Sequence, residues 1–207
     1  MPHDDFAFEP IKGLPGPLPE GEEILWQGAP DPWRLAVEAL VLKWIAVYFL
    51  ILVVWRITVS STSYGMADAL GHAIPLAIAG LLTCSLVYAI AWIQARATVY
   101  TLTNKRVAMR IGAALTLTLN LPLAKIGAAH VDRRSSGTGT IAFETLGSAR
   151  LSYLMTWPHV RPWTLPTQAA LRCIKDVDRV AELFADTAQA RLAEINGHHG
   201  RTPLAAE

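Results

Sequence analysis

The sequence predicts a membrane protein in which a hairpin of two transmembrane helices precedes a small α+β sandwich or barrel with a C-terminal capping helix. Two observations lead to this fold class. First, 52% of the 207 residues are hydrophobic and only 17% are charged, whereas about a quarter are charged in ordinary soluble domains. Second, the apolar residues form two long runs before residue 94, and the chain after it shows the period of two that is typical of strands.

The two apolar runs are the predicted spans, at about residues 39–59 and 70–93 of a hairpin region that covers residues 34–94. The second run carries no Lys, Arg, Asp or Glu and is long enough to cross a hydrocarbon core of about 30 Å. The first run contains Lys43 and Arg56, which lie about 20 Å apart along a helix. We expect their long side chains to reach opposite membrane interfaces, so the sequence predicts one crossing for each run.

Small residues recur along one face of the second run at spacings of three and four. Such a face lets another helix approach closely. The helix-packing candidates are Ala73, Ala77, Gly80 and Cys84.

A further apolar stretch at residues 111–129 invites a third span. Its leucines at positions 115, 117, 119 and 121 alternate with threonine and asparagine, which is the pattern of a half-buried strand. The sequence therefore predicts a strand over residues 115–121 and no third span.

The predicted C-terminal domain covers residues 95–196. It begins with two strands joined by a tight turn at Asn104 and Lys105, a pair of residue types suited to a hairpin. The period of two, together with glycine-rich turns, indicates four further strands, and an apolar stripe with helical spacing predicts the capping helix. The predicted strands cover 97–103, 106–112, 115–121, 128–134, 139–145 and 150–156, the helix covers 176–195, and a disordered tail covers 197–207.

Charge is distributed unevenly along the chain, although the net charge is only +1. Residues 1–33 form a predicted acidic tail with a net charge of −6, and residues 95–175 carry a net charge of +9. We expect the two regions to attract each other or to compete for one partner, in a contact that weakens as salt is added. The bases that follow the second span predict that both termini are cytoplasmic. These residues, which are also candidates for contact with the membrane surface, are Arg96, Lys105, Arg106 and Arg110.

The sequence contains no glycine-rich phosphate loop, no serine nucleophile motif and no cysteine–histidine cluster. We therefore expect a protein that is not an enzyme and that holds no cofactor or metal. His72 is a candidate ligand for a chlorophyll magnesium, and an interfacial histidine is the preferred alternative. The basic region lacks interleaved stacking aromatics, so nucleic acid is not an expected partner.

One stretch, "WPHVRPW", has the composition of a binding surface. Two tryptophans and an arginine are typical of interface hot spots, and the prolines reduce the entropy that is lost on binding. The partner-interaction candidates are Trp157, His159, Arg161 and Trp163. The alternative is that both tryptophans pack into the core, and the sequence does not decide between the two.

The chain resembles the PuhB family of photosynthetic-complex assembly proteins from purple phototrophic bacteria. The resemblance covers about residues 18–190 and is carried by "LPEGEEILWQGAPD", "YTLTNKRVAMRIG", "LNLPLAKI", "GTGTI" and "WPHVRPW". It implies that the α+β domain is pleckstrin-homology-like. The family is often described with three spans, and the strand predicted at residues 115–121 departs from that description.

The resemblance also implies a function and partners. The expected function is a membrane-anchored assembly factor for the photosynthetic reaction centre and its core light-harvesting complex, in the intracytoplasmic membrane. The implied partners are the reaction-centre H subunit, the core antenna, membrane lipids and a second copy of the chain. Two alternatives remain, namely an adaptor that senses anionic lipids through the basic domain and a bacteriochlorophyll carrier that uses His72.

Overall fold

The computed structural model describes residues 11–113, 115–134, 137–147 and 151–199, which fall into two compact units. One unit is the continuous segment Pro32–Ala95. The other combines the described residues before Pro32 with those from Arg96 onward.

The first unit is a helical hairpin. A short helix α1 (Pro32–Glu38) precedes two long helices, α2 (Leu42–Ser61) and α3 (Met66–Ala97). The most apolar windows of α2 and α3 have mean hydropathies of 1.9 and 2.1, and both helices are long enough to cross a membrane. They contain most of the residues predicted as spans at 39–59 and 70–93, and α3 extends further in both directions.

Small side chains bring α2 and α3 together. A methyl group added at Gly80 would lie 2.8 Å from Cβ of Phe49 on α2, so only glycine fits there. Of the other helix-packing candidates, Ala73 is buried, as Gly80 is, and Cys84 is half-buried. Ala77 is exposed, so its assignment to this face was wrong.

The second unit contains two antiparallel sheets and a C-terminal helix. The first sheet has the order β1 (Ile24–Gly28), β2 (Val99–Thr103), β3 (Arg106–Ile111) and β4 (Leu117–Pro122). The second has the order β5 (Ile126–Arg133), β6 (Thr138–Thr145) and β7 (Ala169–Lys175). A short helix α4 (Tyr153–Thr156) lies between β6 and β7, and helix α5 (Val177–His199) follows β7.

One core joins the two sheets to the last helix. Tyr100 and Met109 from the first sheet and Phe143 from the second belong to a single buried cluster with Phe184 of α5. The rings of Phe143 and Phe184 lie 5.1 Å apart between centroids. This arrangement agrees with the predicted α+β domain and its capping helix.

The described part of the predicted acidic tail, residues 11–31, belongs to the second unit. Residues 1–10 of that predicted tail lie outside the described residues. Within the described part, Ile24–Gly28 form the edge strand β1, which pairs with β2 from Ile24 opposite Thr103 to Gly28 opposite Tyr100. The start predicted at residue 95 agrees with the unit that resumes at Arg96, but the prediction left out the part of that unit that lies before Pro32. The pairing crosses more than 70 residues of intervening chain, and a local pattern does not reveal such a partner.

Three other elements differ from the predictions. The strand predicted at 150–156 is wrong, because Tyr153–Thr156 form α4, whereas β7 was missed. Helix α5 continues beyond Gly197 to His199, so the tail predicted to be disordered begins as helix, and residues 200–207 lie outside the described residues. The stretch considered for a third span contains β4, a 3₁₀ turn at Leu123–Lys125 and the start of β5.

Candidate functional site

Among the residues that the structure describes, no group of three or more His, Cys, Asp or Glu side chains could hold a metal ion. His72, the candidate chlorophyll ligand, is exposed on α3 and meets the ring of Tyr64 edge-on at 5.2 Å between centroids. The other candidates are surfaces, and the most unusual surface lies between α4 and β7.

Large apolar side chains are exposed along residues 153–165. Trp163 is 97% exposed, Leu165 92%, Leu154 87% and Met155 70%. Trp157 and Tyr153 are 41% and 36% exposed. We refer to these six residues as the apolar loop surface. Exposed apolar patches of this kind commonly mark interaction sites in soluble domains.

The backbone around Trp163 is fixed by hydrogen bonds. The amide of Arg161 donates to the carbonyl oxygen of Gln168 at 3.0 Å and closes the loop at its base. The Thr164 hydroxyl donates to the Arg161 carbonyl, also at 3.0 Å. Trp163 itself has φ of 58°, a left-handed conformation that is rare for a bulky residue and that often occurs at functional sites. The hydrogen bonds within the loop therefore keep the Trp163 indole exposed.

The four residues predicted from "WPHVRPW" have different environments. Trp163 lies on the surface, which excludes the core alternative for it, and Trp157 is partly exposed. Arg161 is half-buried and donates to the Gln168 side chain at 3.3 Å. His159 is only 2% exposed, so it cannot contact a partner directly. Leu154, Met155 and Leu165 were missed, because apolar residues in a sequence are ordinarily assigned to the core.

His159 fastens the loop to the first sheet. Its Nδ1 lies 2.6 Å from the Tyr100 hydroxyl, and its Nε2 lies 3.2 Å from Thr98 Oγ1. The Tyr100 hydroxyl oxygen accepts a hydrogen bond from the Arg172 amide. We therefore assign the Tyr100 hydroxyl as the donor to His159 Nδ1 and place the imidazole proton on Nε2. Burial, together with the positive charge of Arg172, lowers the pKa of His159 to about 3. The imidazole is therefore a neutral structural link at physiological pH.

This link should make the domain sensitive to acid between pH 6.5 and about 3. In the unfolded chain His159 regains its ordinary pKa of 6.5, so within this range the unfolded state binds the additional proton. The free energy of unfolding should then fall by about 1.4 kcal/mol for each unit of acidification. Urea unfolding of the full chain in detergent, followed by tryptophan fluorescence from pH 7 to pH 5, measures this slope. His159→Gln should remove this pH dependence of the free energy of unfolding, whereas substitution of the exposed His130 by glutamine should not. Equal slopes for the two variants would contradict the role assigned to His159.

The predicted basic membrane-surface residues are largely engaged within the domain. Arg106 Nε donates to Glu22 Oε1 at 2.8 Å, and the Thr103 hydroxyl donates to the same oxygen at 2.8 Å. Lys105 donates to the Glu20 carbonyl at 2.9 Å. Arg110 is 6% exposed. Arg96 is the one member of the predicted set of four that is exposed.

These contacts form a latch between the N-terminal segment and the β2–β3 turn. The Asn104 side chain donates to the Gly21 carbonyl at 2.9 Å and accepts from the Glu23 amide at 3.1 Å. We refer to Glu20–Glu23 together with Thr103–Arg106 as the N-terminal latch. The attraction predicted between acidic and basic regions is thus present at Glu22 and Arg106, but the Glu22 side chain is only 2% exposed. Salt should therefore have little effect on this contact, contrary to the prediction.

Comparison with known proteins agrees with this architecture. Residues 35–188 match the family described as "Bacterial PH domain". The chain is also 43% identical over 200 residues to a Rhodobacter capsulatus protein named "Uncharacterized 23.7 kDa protein in puhA 5'region". The alignment covers 94% of this chain and 92% of that protein. No solved structure matches the chain.

Proposed function

We propose a function from the surfaces of the protein and from its relative. The chain belongs to the bacterial PH-domain family, and that family name describes a fold and not an activity. We propose that it is a non-enzymatic, membrane-anchored assembly factor for the photosynthetic reaction centre and its core light-harvesting complex. The relative supports this role, because its name places it in the puhA 5' region of a photosynthetic bacterium and the similarity covers nearly all of both chains. The quoted motifs, which resemble the PuhB family, support the same role.

The apolar loop surface is the observation that supports this proposal most directly. Tryptophan, tyrosine and methionine are enriched at protein interfaces, and tryptophan is prominent among hot spots. The loop is already held in one conformation by its own hydrogen bonds, so binding requires little further ordering. We propose that this surface contacts a membrane-protein partner, with the reaction-centre H subunit and the core antenna as the first candidates. Self-association is part of the same proposal.

The pairing of β1 with β2 supports the proposed topology. The helical hairpin unit, residues 32–95, interrupts the other unit between β1 and β2. These two strands are neighbours in one sheet. A segment that starts and ends in one sheet crosses a membrane an even number of times if it enters one, and we propose that α2 and α3 make one crossing each. The basic residues that follow α3 support the proposal that the domain and both termini are cytoplasmic.

The lipid-sensing alternative has less support, because few bases are free to bind headgroups. Arg133 pairs with Asp178, Arg134 with Asp132 and Lys175 with Asp31, in addition to the pair between Arg106 and Glu22. Arg110 and Arg172 are buried. Several of the described bases of residues 95–175 therefore already have carboxylate partners or lie inside the domain, although Arg96 and Lys125 are exposed.

Gene deletion in a phototrophic host tests the proposed function. We expect the near-infrared absorption bands of the reaction centre and core antenna to fall in membranes of the deletion strain. The wild-type gene supplied in trans should restore them, which controls for effects on neighbouring genes. Unchanged bands in the deletion strain would contradict the assembly role.

A further inference from the structure

A cleft of about 560 Å³ opens in the helical hairpin unit, and its lining residues come from α1, α2 and α3. Its volume lies within the range of about 300–1,000 Å³ that small-molecule sites occupy. The lining residues are Trp33, Val37, Leu42, Lys43, Ala46, Cys84, Ser85 and Tyr88. Most of these side chains are apolar, which suits a hydrocarbon ligand.

Small side chains from α2 and α3 line the cleft, which lies one turn of α3 beyond the close approach at Gly80. Gly80 brings α3 against Phe49 of α2. One turn further along α3, Cys84 and Ser85 face the region of Ala46 and leave a hollow. Helix α1 forms the third wall with Trp33, whose ring lies 6.0 Å from that of Tyr88 between centroids.

Lys43 supplies the one charged group of the lining. Its side chain is exposed, and no carboxylate in the described part of the chain forms an ion pair with it. An ionisable residue in a membrane-spanning helix ordinarily has a partner or a function. An ammonium group beside an apolar cleft is complementary to a ligand with an anionic head and an apolar tail.

The cleft lies at the end of the hairpin where headgroups are expected. Lys43 is in the first turn of α2, and the last turns of α3 carry Trp92. Trp44 is 70% exposed and Trp92 is 42% exposed, and exposed tryptophans at the ends of membrane helices are typical of the interfacial belt. Basic pockets between membrane helices on the cytoplasmic side are known sites for acidic lipid headgroups.

We propose that this cleft binds one anionic phospholipid. Its headgroup phosphate pairs with the Lys43 ammonium, and one acyl chain lies between Ala46 and Cys84, against Trp33 and Tyr88. This site is independent of the apolar loop surface and of the proposed assembly function. It differs from the lipid-sensing alternative, which concerned the basic surface of the other unit.

Lipid titration of the full-length protein in detergent tests the site. Phosphatidylglycerol or phosphatidylcholine is added to the delipidated protein, and bound lipid is counted by native mass spectrometry. We expect one phosphatidylglycerol to bind in preference to phosphatidylcholine. Lys43→Gln should weaken that binding about fivefold, which is the contribution of one lysine near a membrane surface. Inorganic phosphate should not compete, because it lacks the acyl chain.

Two further variants keep the test decisive. Arg56→Gln removes an exposed cation near the other end of α2 and should bind phosphatidylglycerol like the wild type. Ala46→Leu fills the cleft from an exposed position and should weaken binding of both lipids. Circular dichroism checks that each variant retains its helices. Equal losses for Lys43→Gln and Arg56→Gln, or equal binding of the two lipids by the wild type, would overturn the proposal.

Discussion

Replacing Trp163 and Leu165 together with alanine is expected to abolish assembly of the reaction centre and core antenna while the protein stays at its normal level in the membrane. Both side chains are more than 90% exposed, so their truncation removes little from the core. A hot-spot tryptophan contributes about 2 kcal/mol or more to binding, which corresponds to roughly thirtyfold in affinity. Near-infrared absorption of membranes measures assembly, and immunoblotting measures the amount of protein.

Leu115→Ala provides a matched control, because Leu115 is 86% exposed but lies outside the apolar loop surface. It should leave both assembly and protein level unchanged. Trp157→Ala is expected to give a mixed result, since that side chain is only 41% exposed and its loss should also lower the melting temperature. Normal assembly in the Trp163→Ala, Leu165→Ala variant would show that the loop does not dock a partner and would favour contact of the loop with the bilayer.

Breaking the N-terminal latch is expected to produce the largest loss of stability. Arg106→Ala leaves the Glu22 carboxylate, which is 2% exposed, without its cation. Breaking a fully buried ion pair costs about 3–5 kcal/mol, and because Arg106 is itself 27% exposed we expect a loss near the lower end of that range. For a domain of this size the melting temperature should fall by about 10–20 °C. Thermal unfolding of the full chain in detergent, followed by circular dichroism in the β-sheet region, measures the change.

The pair between Arg133 and Asp178 is the control for the latch, because both side chains are more than 60% exposed. Arg133→Ala should cost less than about 1 kcal/mol, as exposed pairs do. Raising the salt concentration to 1 M should affect the contribution of Arg133 more than that of Arg106. A loss for Arg106→Ala no greater than that for Arg133→Ala would contradict a stabilising role of the latch.

Elements with strong local signals could be predicted from the sequence. The long apolar runs indicate α2 and α3, and the alternation on both sides of Asn104 and Lys105 indicates β2 and β3. Strand β7 was missed because it has one β-branched residue and no aromatic residue. Strands β2 and β3 are equally buried, but a recognisable turn joins them. Strand β1 is short, and its partner lies more than 70 residues away, so its place in the sheet depends on tertiary structure.

The candidate site shows the same limit at the level of single residues. His159 and Trp163 belong to one seven-residue motif, yet one is buried beside Tyr100 and the other is almost fully exposed. Composition identifies the motif as unusual, but only the backbone path determines which side chains face water. For the same reason, Glu22 is visible in the sequence as one of several acids, whereas its burial against Arg106 depends on the pairing of β1 with β2.

The interrupted sheet also determines the order of events during synthesis. Residues of β1 leave the ribosome before both helices of the hairpin, and their partner strand follows about 70 residues later, which takes about 4–14 s at ordinary translation rates. In the proposed topology, a chain in which only one of the two helices inserts leaves β1 and β2 on opposite sides of the membrane, and the first sheet cannot close. Under the proposed topology, completion of the first sheet therefore depends on insertion of both helices, and a chain that cannot complete it is exposed to proteases.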